Sequence, residues 1–80
     1  MNLNAWVQVI HENAKEHGWW DEHRSFGDIA VLCHSEISEA VEAFRNGEAM
    51  YWVDESGKPQ GVLTEMADCM IRIMDWAGGE

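Results

Sequence analysis

The run from Gly27 to Arg45, GDIAVLCHSEISEAVEAFR, decides the fold of this 80-residue chain. Its apolar residues recur three and four positions apart, which is the period of an amphipathic α-helix with one buried stripe. We predict that Ile37 is the centre of this stripe, which comprises Ala30, Cys33, Ile37, Ala40, Val41 and Phe44. Asn46-Gly47 is a helix stop signal, and Ser25, three residues before Asp28, is a capping signal at the start. The pattern therefore predicts a helix over 27–45.

Two further helices are predicted, one on each side of this run. Apolar residues at helical spacing between Leu3 and His17 predict the first helix, which Gly18 ends. The segment from Val62 to Ala77 predicts the last helix, and its apolar residues occupy nearly the whole circumference, as in a buried helix. On this helix we expect only Thr64 and Asp75 to face solvent.

The segments between the helices are predicted to be loops. Residues Trp19 to Phe26 lack a sustained period and begin with two tryptophans. Residues Glu48 to Gly61 contain DESGKPQ, the densest turn chemistry in the chain, and Met50 to Val53 predict a short turn or an extended piece there. Three helices in so short a chain leave apolar surface uncovered. We therefore expect an all-α fold: a helical bundle of three main helices per chain, completed by oligomerisation into a homodimer or homotetramer.

Composition and charge narrow the class of partner. The formal charge is −10, with fifteen acidic and five basic residues, which argues against binding to a nucleic-acid polymer because such binding depends on lysine and arginine. We see no signal peptide and no segment near the roughly 20 apolar residues that a membrane span needs. Cys33 and Cys69 lie in apolar runs without ligand spacing, so we expect free thiols. These features predict a cytoplasmic protein without a membrane partner.

Four acidic residues are candidates for a metal site. Glu36 and Glu39 are three positions apart, and Glu65 and Asp68 repeat that spacing, so each pair projects from one side of its helix. On a helical wheel both pairs lie beside apolar positions, which predicts partial burial. Buried carboxylates that face one another need a counter-charge; Arg72 can pair with one of them. A hard divalent cation with oxygen ligands, Mg²⁺ in particular, supplies the rest.

Other interpretations of these residues are weaker. One alternative is that the two acidic pairs are solvated surface charge, but their neighbours on the wheel argue against it. Di-iron carboxylate bundles require a Glu-x-x-His element, which is absent here. A transition-metal site built from histidines and cysteines lacks recognisable ligand spacing among His11, His17, His23, His34, Cys33 and Cys69. We expect His34 to be structural.

The segment from Ser35 to Arg45, followed after a spacer by LTEMAD from Leu63 to Asp68, resembles the MazG-like all-α nucleoside triphosphate pyrophosphatases, which are related to the dimeric dUTPases. That family has an ExxE motif, a variable spacer and an ExxD motif. The segment NAKEHGWW, from Asn13 to Trp20, is similar to the end of the family's first helix. The resemblance thus predicts one MazG-like domain over 1–80. Family members usually continue into a further helix and a basic tail, which we expect this chain to lack.

The resemblance implies a function and a ligand set. It implies Mg²⁺-dependent hydrolysis of a nucleoside or deoxynucleoside triphosphate to the monophosphate and pyrophosphate, a house-cleaning reaction of the nucleotide pool. It also implies that the catalytic metal ligands are Glu36, Glu39, Glu65 and Asp68.

Substrate contacts are predicted from residue type alone. Lys15 and Arg45 are candidates for phosphate contact, and Trp19, Trp20 or Trp52 for stacking on a base. The competing interpretation is that these tryptophans belong to the core or to a dimer interface. For the chain as a whole, the alternative function is a non-catalytic interaction or nucleotide-binding module, a truncated relative of the pyrophosphatases.

Overall fold

Three helices and one short hairpin make up the computed structural model, which describes residues 2–80. The elements are α1 (Leu3–Glu16), α2 (Phe26–Arg45), β1 (Trp52–Val53), β2 (Pro59–Gln60) and α3 (Val62–Gly79), with one turn of 3₁₀ helix (Trp19–Asp21) after α1. The predicted all-α class and its three helices are confirmed. Within residues 2–80, no helix combines the length and the hydropathy that crossing a membrane requires.

Side-chain caps define where α1 and α2 begin. Oδ1 of Asn2 accepts a hydrogen bond from the backbone N–H of Ala5 at 2.9 Å. Oγ of Ser25 accepts from the N–H of Asp28 at 3.1 Å, and the Asp28 carboxylate accepts from the N–H of Ser25 at 3.4 Å. This reciprocal pair is a capping box, which satisfies backbone donors that the first helical turn leaves unpaired. The capping signal predicted at Ser25 is confirmed.

Helix α3 lies between the other two helices and packs against both of them. Helix α2 runs antiparallel to α3, as two contacts show. The rings of Phe26, at the start of α2, and Trp76, near the end of α3, are 5.2 Å apart. Glu36, farther along α2, contacts Arg72, nearer the start of α3. The core of this pair contains Ile29, Cys33 and Cys69, with Trp19 and Trp76 packed against them. Both cysteines are free thiols, as predicted.

The buried stripe of α2 differs from the predicted one by one position. Its buried residues are Ile29, Cys33, Glu36, Ala40 and Ala43. Ile37, the predicted centre, is 43% exposed, and Phe44 is 69% exposed. The prediction was correct for Cys33 and Ala40, which are buried, and wrong for its centre. Helix α2 carries two apolar stripes about 100° apart, and α3 packs against the stripe that has a carboxylate at its centre. Hydropathy alone favours the other stripe.

Helix α3 is also less buried than predicted. Its buried residues are Cys69 and Asp75, and its exposed large apolar residues are Leu63, Met66, Met70, Ile71 and Ile73. Asp75, predicted to face solvent, is only 5% exposed. Its Oδ1 lies 3.0 Å from Nδ1 of His11 and accepts from Nε1 of Trp20 at 2.8 Å. An acid with two such partners can be buried between α1 and α3, and the sequence pattern of α3 gives no sign of those partners.

The predicted loop over 48–61 contains an antiparallel hairpin, in which Trp52 pairs with Gln60. Gly61 joins this hairpin to α3 with φ of +105°, and a Cβ at this position would lie 2.6 Å from the carbonyl oxygen of Met50. The N–H of Leu63 donates to that same carbonyl at 2.9 Å. Only glycine fits this backbone conformation and this close approach without strain. The hairpin is thereby held against the first turn of α3, beside Glu65.

Candidate metal centre

Carboxylates from α2 and α3 meet between the two helices. Glu36 of α2 and Glu65 and Asp68 of α3 each contribute one oxygen, and these three atoms all lie within 4.8 Å of one another. The spacing of three residues places Glu65 and Asp68 on one side of α3. Glu36 lies opposite them because it belongs to the buried stripe of α2. The structure thus brings three of the four predicted ligands together, and we call them the carboxylate triad.

Glu39, the fourth predicted ligand, lies at the edge of the triad. Its side chain is exposed, so the partial burial predicted for it was wrong, and it lines the same cavity of about 340 Å³ as the triad does. Its carboxyl group is close enough to Glu65 to contribute to the raised pKa of Glu65. Glu39 therefore extends the negative surface from the triad to the mouth of this cavity.

Glu65 is the member of the triad whose charge is least compensated. Its Oε2 is buried and has no hydrogen-bond partner in the protein. Burial and the neighbouring carboxyl groups of Glu39 and Glu36 raise the pKa of Glu65 to about 7. Burial, followed by the charge of Glu36, also raises the pKa of Asp68, although Arg72 opposes this shift. Both shifts indicate that the site needs positive charge to hold its carboxylates ionised.

Arg72 supplies part of that charge. Its Nε donates to Oε1 of Glu36 at 3.0 Å, and its Nη2 forms an ion pair with the same oxygen, also at 3.0 Å. Its guanidinium lies 5.1 Å from the centre of the Trp19 ring. The pairing reaches across the interface from α3 to α2. One arginine cannot neutralise three clustered carboxylates, so the triad keeps a net negative charge when it is fully ionised.

Two cavities open on the triad, and Glu36 and Asp68 line both of them. The smaller cavity, of about 340 Å³, lies beside the hairpin. It is lined by Glu36, Glu39, Lys58, Pro59, Gln60, Thr64, Glu65 and Asp68. The larger cavity, of about 510 Å³, lies between α1 and α3 and has Val9, Ile10, Ala14 and Ile71 among its apolar lining residues. The triad thus separates a polar cavity from a more apolar one.

The three tryptophans that were candidates for stacking on a base have different surroundings. Trp19 lines the larger cavity, but the guanidinium of Arg24 lies over its ring at 3.7 Å. Trp20 donates to Asp75 and lines neither of the two cavities that reach the triad. Trp52 lies on the hairpin, where its Nε1 donates to Glu48 at 3.0 Å. Of the three, Trp19 is the one that borders the triad.

The two basic residues that were candidates for phosphate contact lie outside both cavities. Lys15 pairs with Glu12 on the surface of α1 at 2.9 Å, and neither Lys15 nor Arg45 lines a cavity that reaches the triad. Lys58, which no sequence motif indicated, lines the smaller cavity. Its backbone position depends on hydrogen bonds to Asp54, four residues earlier, which the sequence shows only as turn residues.

The residues of the triad fit a hard cation such as Mg²⁺. All three ligands are carboxylates, and Mg²⁺ prefers oxygen ligands and usually keeps several waters, so three protein ligands suffice. The unpartnered Oε2 of Glu65 is an oxygen available to such an ion. Among the residues the structure describes, no group of three potential ligands includes a histidine or a cysteine. The donor set therefore fits a hard cation better than a softer transition metal.

The raised pKa of Glu65 predicts how pH changes the stability of the metal-free protein. Below its ordinary value of 4.5, the carboxyl group is protonated in both the folded and the unfolded chain. Between that value and about 7 the unfolded chain releases the proton while the folded chain keeps it. The free energy of unfolding therefore falls as pH rises through this range and is lowest above it. Urea denaturation in the presence of a chelator, at about pH 5 and about pH 8, measures this change.

Glu65→Gln is expected to flatten this part of the pH profile, since it removes the titrating group. Glu42→Gln, which changes an exposed carboxylate on α2, is the matched control and should keep the native profile. A native protein that becomes more stable over this range, or a decrease that persists in Glu65→Gln, would contradict the assignment.

Comparison of the chain with known protein families, with curated proteins and with solved structures found no match.

Proposed function

We propose that this chain is a cytoplasmic MazG-like pyrophosphatase that hydrolyses a nucleoside or deoxynucleoside triphosphate to the monophosphate and pyrophosphate in the presence of Mg²⁺. Such a reaction removes unwanted nucleotides from the pool. The observation that carries the proposal is the carboxylate triad, in which Oε2 of Glu65 is buried and unpartnered. The ExxE and ExxD spacing of these residues supports the same activity through the family resemblance.

The residues of the triad would act as ligands held in place by their neighbours. Arg72 fixes Oε1 of Glu36 through one hydrogen bond and an ion pair, which leaves Oε2 of Glu36 as its other oxygen for a ligand. Glu36, Glu65 and Asp68 would hold Mg²⁺, and the ion would supply positive charge for a polyphosphate and activation of a water. Glu39, at the mouth of the smaller cavity, would face the substrate side of the site.

The larger cavity is suited to the nucleoside part of the substrate. Its volume of about 510 Å³ lies in the range of small-molecule sites. Val9, Ile10 and Ile71 provide apolar walls for a base, and Asn13 and His17 provide polar groups. Nδ1 of His17 is hydrogen-bonded to the carbonyl oxygen of Asn13 at 2.8 Å, so Nε2 is the ring nitrogen that remains for a ligand. Because Glu36 and Asp68 line this cavity too, a base here would lie next to the metal ligands.

The proposal includes a homodimer or homotetramer, which two exposed apolar stripes support. On α2 the stripe consists of Ile37, Val41 and Phe44, and on α3 of Met66, Met70 and Ile73. In the sequence, each of these residues comes directly after a residue that lies in the α2–α3 interface. Because the two helices are antiparallel, this offset of one residue turns both stripes to the same side of the pair. Helix α1 contacts α3 on the opposite side, through Asp75 and Gly78.

A charge on each stripe is expected to dissociate the oligomer. In Val41→Glu/Met70→Glu both new carboxylates would be buried without partners, so we expect the dissociation constant to rise at least about 100-fold. Sedimentation velocity over a range of concentrations measures the change. Val31→Glu is the control, since Val31 is exposed on the side of α2 that faces away from α3. A native chain that sediments as a monomer throughout would refute the interface, and so would equal dissociation in the control.

The activity itself is tested by measuring pyrophosphate release from a panel of ribonucleoside and deoxynucleoside triphosphates, with Mg²⁺ and with a chelator. We expect release that needs Mg²⁺ and is confined to one or a few nucleotides. Release of phosphate instead of pyrophosphate would mean a different hydrolase. No release from any nucleotide, in protein that is folded and oligomeric, would favour the non-catalytic binding module.

A further inference from the structure

We propose that Lys58, presented by the β1–β2 hairpin, is the residue that binds the phosphate chain of the substrate beside the carboxylate triad, with Asp54 as its positioning residue. This inference rests on the proposed function, because a cation at this place has a role only if a polyphosphate reaches the triad. It gives the hairpin a role in substrate binding. The metal site by itself does not require the hairpin.

Lys58 is the one basic residue that lines the cavity between the hairpin and the triad. Its positive charge is near enough to lower the pKa of Asp68, against the larger effects that raise it. Within residues 2–80, its ammonium group forms no ion pair within 4.0 Å. A lysine that is exposed, unpaired and next to the carboxylates is free to contact a bound anion.

The other four basic residues are already engaged or lie elsewhere. Arg72 is held by Glu36, and Arg24 donates to the carbonyl of Trp19 and covers its ring. Lys15 pairs with Glu12, and Arg45 lines neither cavity at the triad. A nucleoside triphosphate brings three or four negative charges to a site that is itself acidic, so phosphate binding needs a cation in addition to the metal. Lys58 is the residue that meets this need.

Asp54 fixes the backbone of the hairpin at Lys58. Its Oδ1 accepts from the N–H of Lys58 at 3.0 Å, and its own N–H donates to the carbonyl of Lys58, also at 3.0 Å. The same carboxylate accepts from the N–H and Oγ of Ser56 and from Nε2 of Gln60. Hydrogen bonds from Ser56, Lys58 and Gln60 lower the pKa of Asp54 to about 2, so it stays ionised at neutral pH. Both backbone groups of Lys58 are thus tied to one residue, which determines where its side chain starts.

The test measures binding of inorganic pyrophosphate by calorimetry in the presence of Mg²⁺, together with KM and kcat for the preferred nucleotide. Lys58→Met is expected to weaken pyrophosphate binding about 10- to 100-fold, the range for one charge-assisted contact. KM should rise with a smaller change in kcat, and the denaturation midpoint in urea should stay the same. Lys58→Arg is expected to keep most of the affinity. Arg45→Met is the matched control, since it removes an exposed cation from outside both cavities.

Asp54→Asn tests the positioning role through a double-mutant cycle. The single variant is expected to weaken pyrophosphate binding less than Lys58→Met does. In the double variant Asp54→Asn should add no further loss, because the two residues act through one contact. Additive losses would overturn the role of Asp54.

Two negative results have different meanings. Pyrophosphate binding to the native chain that is unchanged in Lys58→Met would overturn the assignment of Lys58 and leave the proposed function intact. A native chain that binds pyrophosphate neither with nor without Mg²⁺ would overturn both.

Discussion

Replacing Glu65 by glutamine is expected to stabilise the metal-free protein and to abolish Mg²⁺-dependent turnover. Glutamine keeps the shape of the side chain but removes a charge that is buried against Glu36 and Glu39 and has an unpartnered oxygen. At about pH 8 the free energy of unfolding should therefore rise, on the order of 1 kcal/mol after solvent screening. The same loss of charge removes one of the proposed metal ligands, so kcat/KM should fall at least about 100-fold.

Opposite effects on stability and turnover separate a functional carboxylate from a structural one. A structural role predicts that both quantities fall together in Glu65→Gln. Glu42→Gln, on the exposed side of α2, should change neither urea denaturation nor pyrophosphate release. If Glu65→Gln kept native turnover, the triad would not be the metal site.

Replacing Arg72 by methionine is expected to destabilise the metal-free protein by about 3 kcal/mol, because it leaves a largely buried carboxylate without its partner. The side chain of Glu36 is 12% exposed, and both its side-chain hydrogen bond and its ion pair are with Arg72. Without that guanidinium the three charges of the triad repel one another across the α2–α3 interface. Urea denaturation in the presence of a chelator measures the loss.

Mg²⁺ should recover part of this stability, since a bound cation compensates the same charges. Arg72→Lys is expected to be intermediate, because lysine keeps the charge without the planar guanidinium. Arg45→Met is the control and should change stability by less than about 0.5 kcal/mol. A loss of that small size in Arg72→Met would mean that Arg72 does not compensate the triad.

The three helices and their boundaries were predictable because their signals are local. The helical period of α1, α2 and α3 and the Ser25–Asp28 capping box follow from residues a few positions apart. The face that each helix buries depends on its neighbours, and here the prediction failed. Glu36 occupies the centre of the buried stripe because Arg72 faces it, and Asp75 is buried because His11 and Trp20 donate to it. These partners are 36, 64 and 55 positions away in sequence.

The candidate site was likewise predictable only where its signals are local in sequence. The spacing of three residues showed which carboxylates share a side of α2 and of α3, and the structure brings Glu36, Glu65 and Asp68 together. Glu39 remained at the edge since it lies on the exposed side of α2. Lys58 was not predicted because the hairpin that carries it is held by the Asp54 carboxylate and by the close fit of Gly61 to Met50. In the sequence these contacts appear only as turn residues, which predict a loop but not where the loop lies relative to the helices.

The metal site is tested most directly by titrating nucleotide-free protein with Mn²⁺, followed by electron paramagnetic resonance, with Mg²⁺ as the competitor. We predict that the native chain binds Mn²⁺, that Mg²⁺ displaces it, and that binding is at least about 10-fold weaker in Glu36→Gln and Glu65→Gln. Glu42→Gln should bind Mn²⁺ like the native chain. Equal binding by all these variants, or no binding by the native chain, would contradict a metal site at the carboxylate triad.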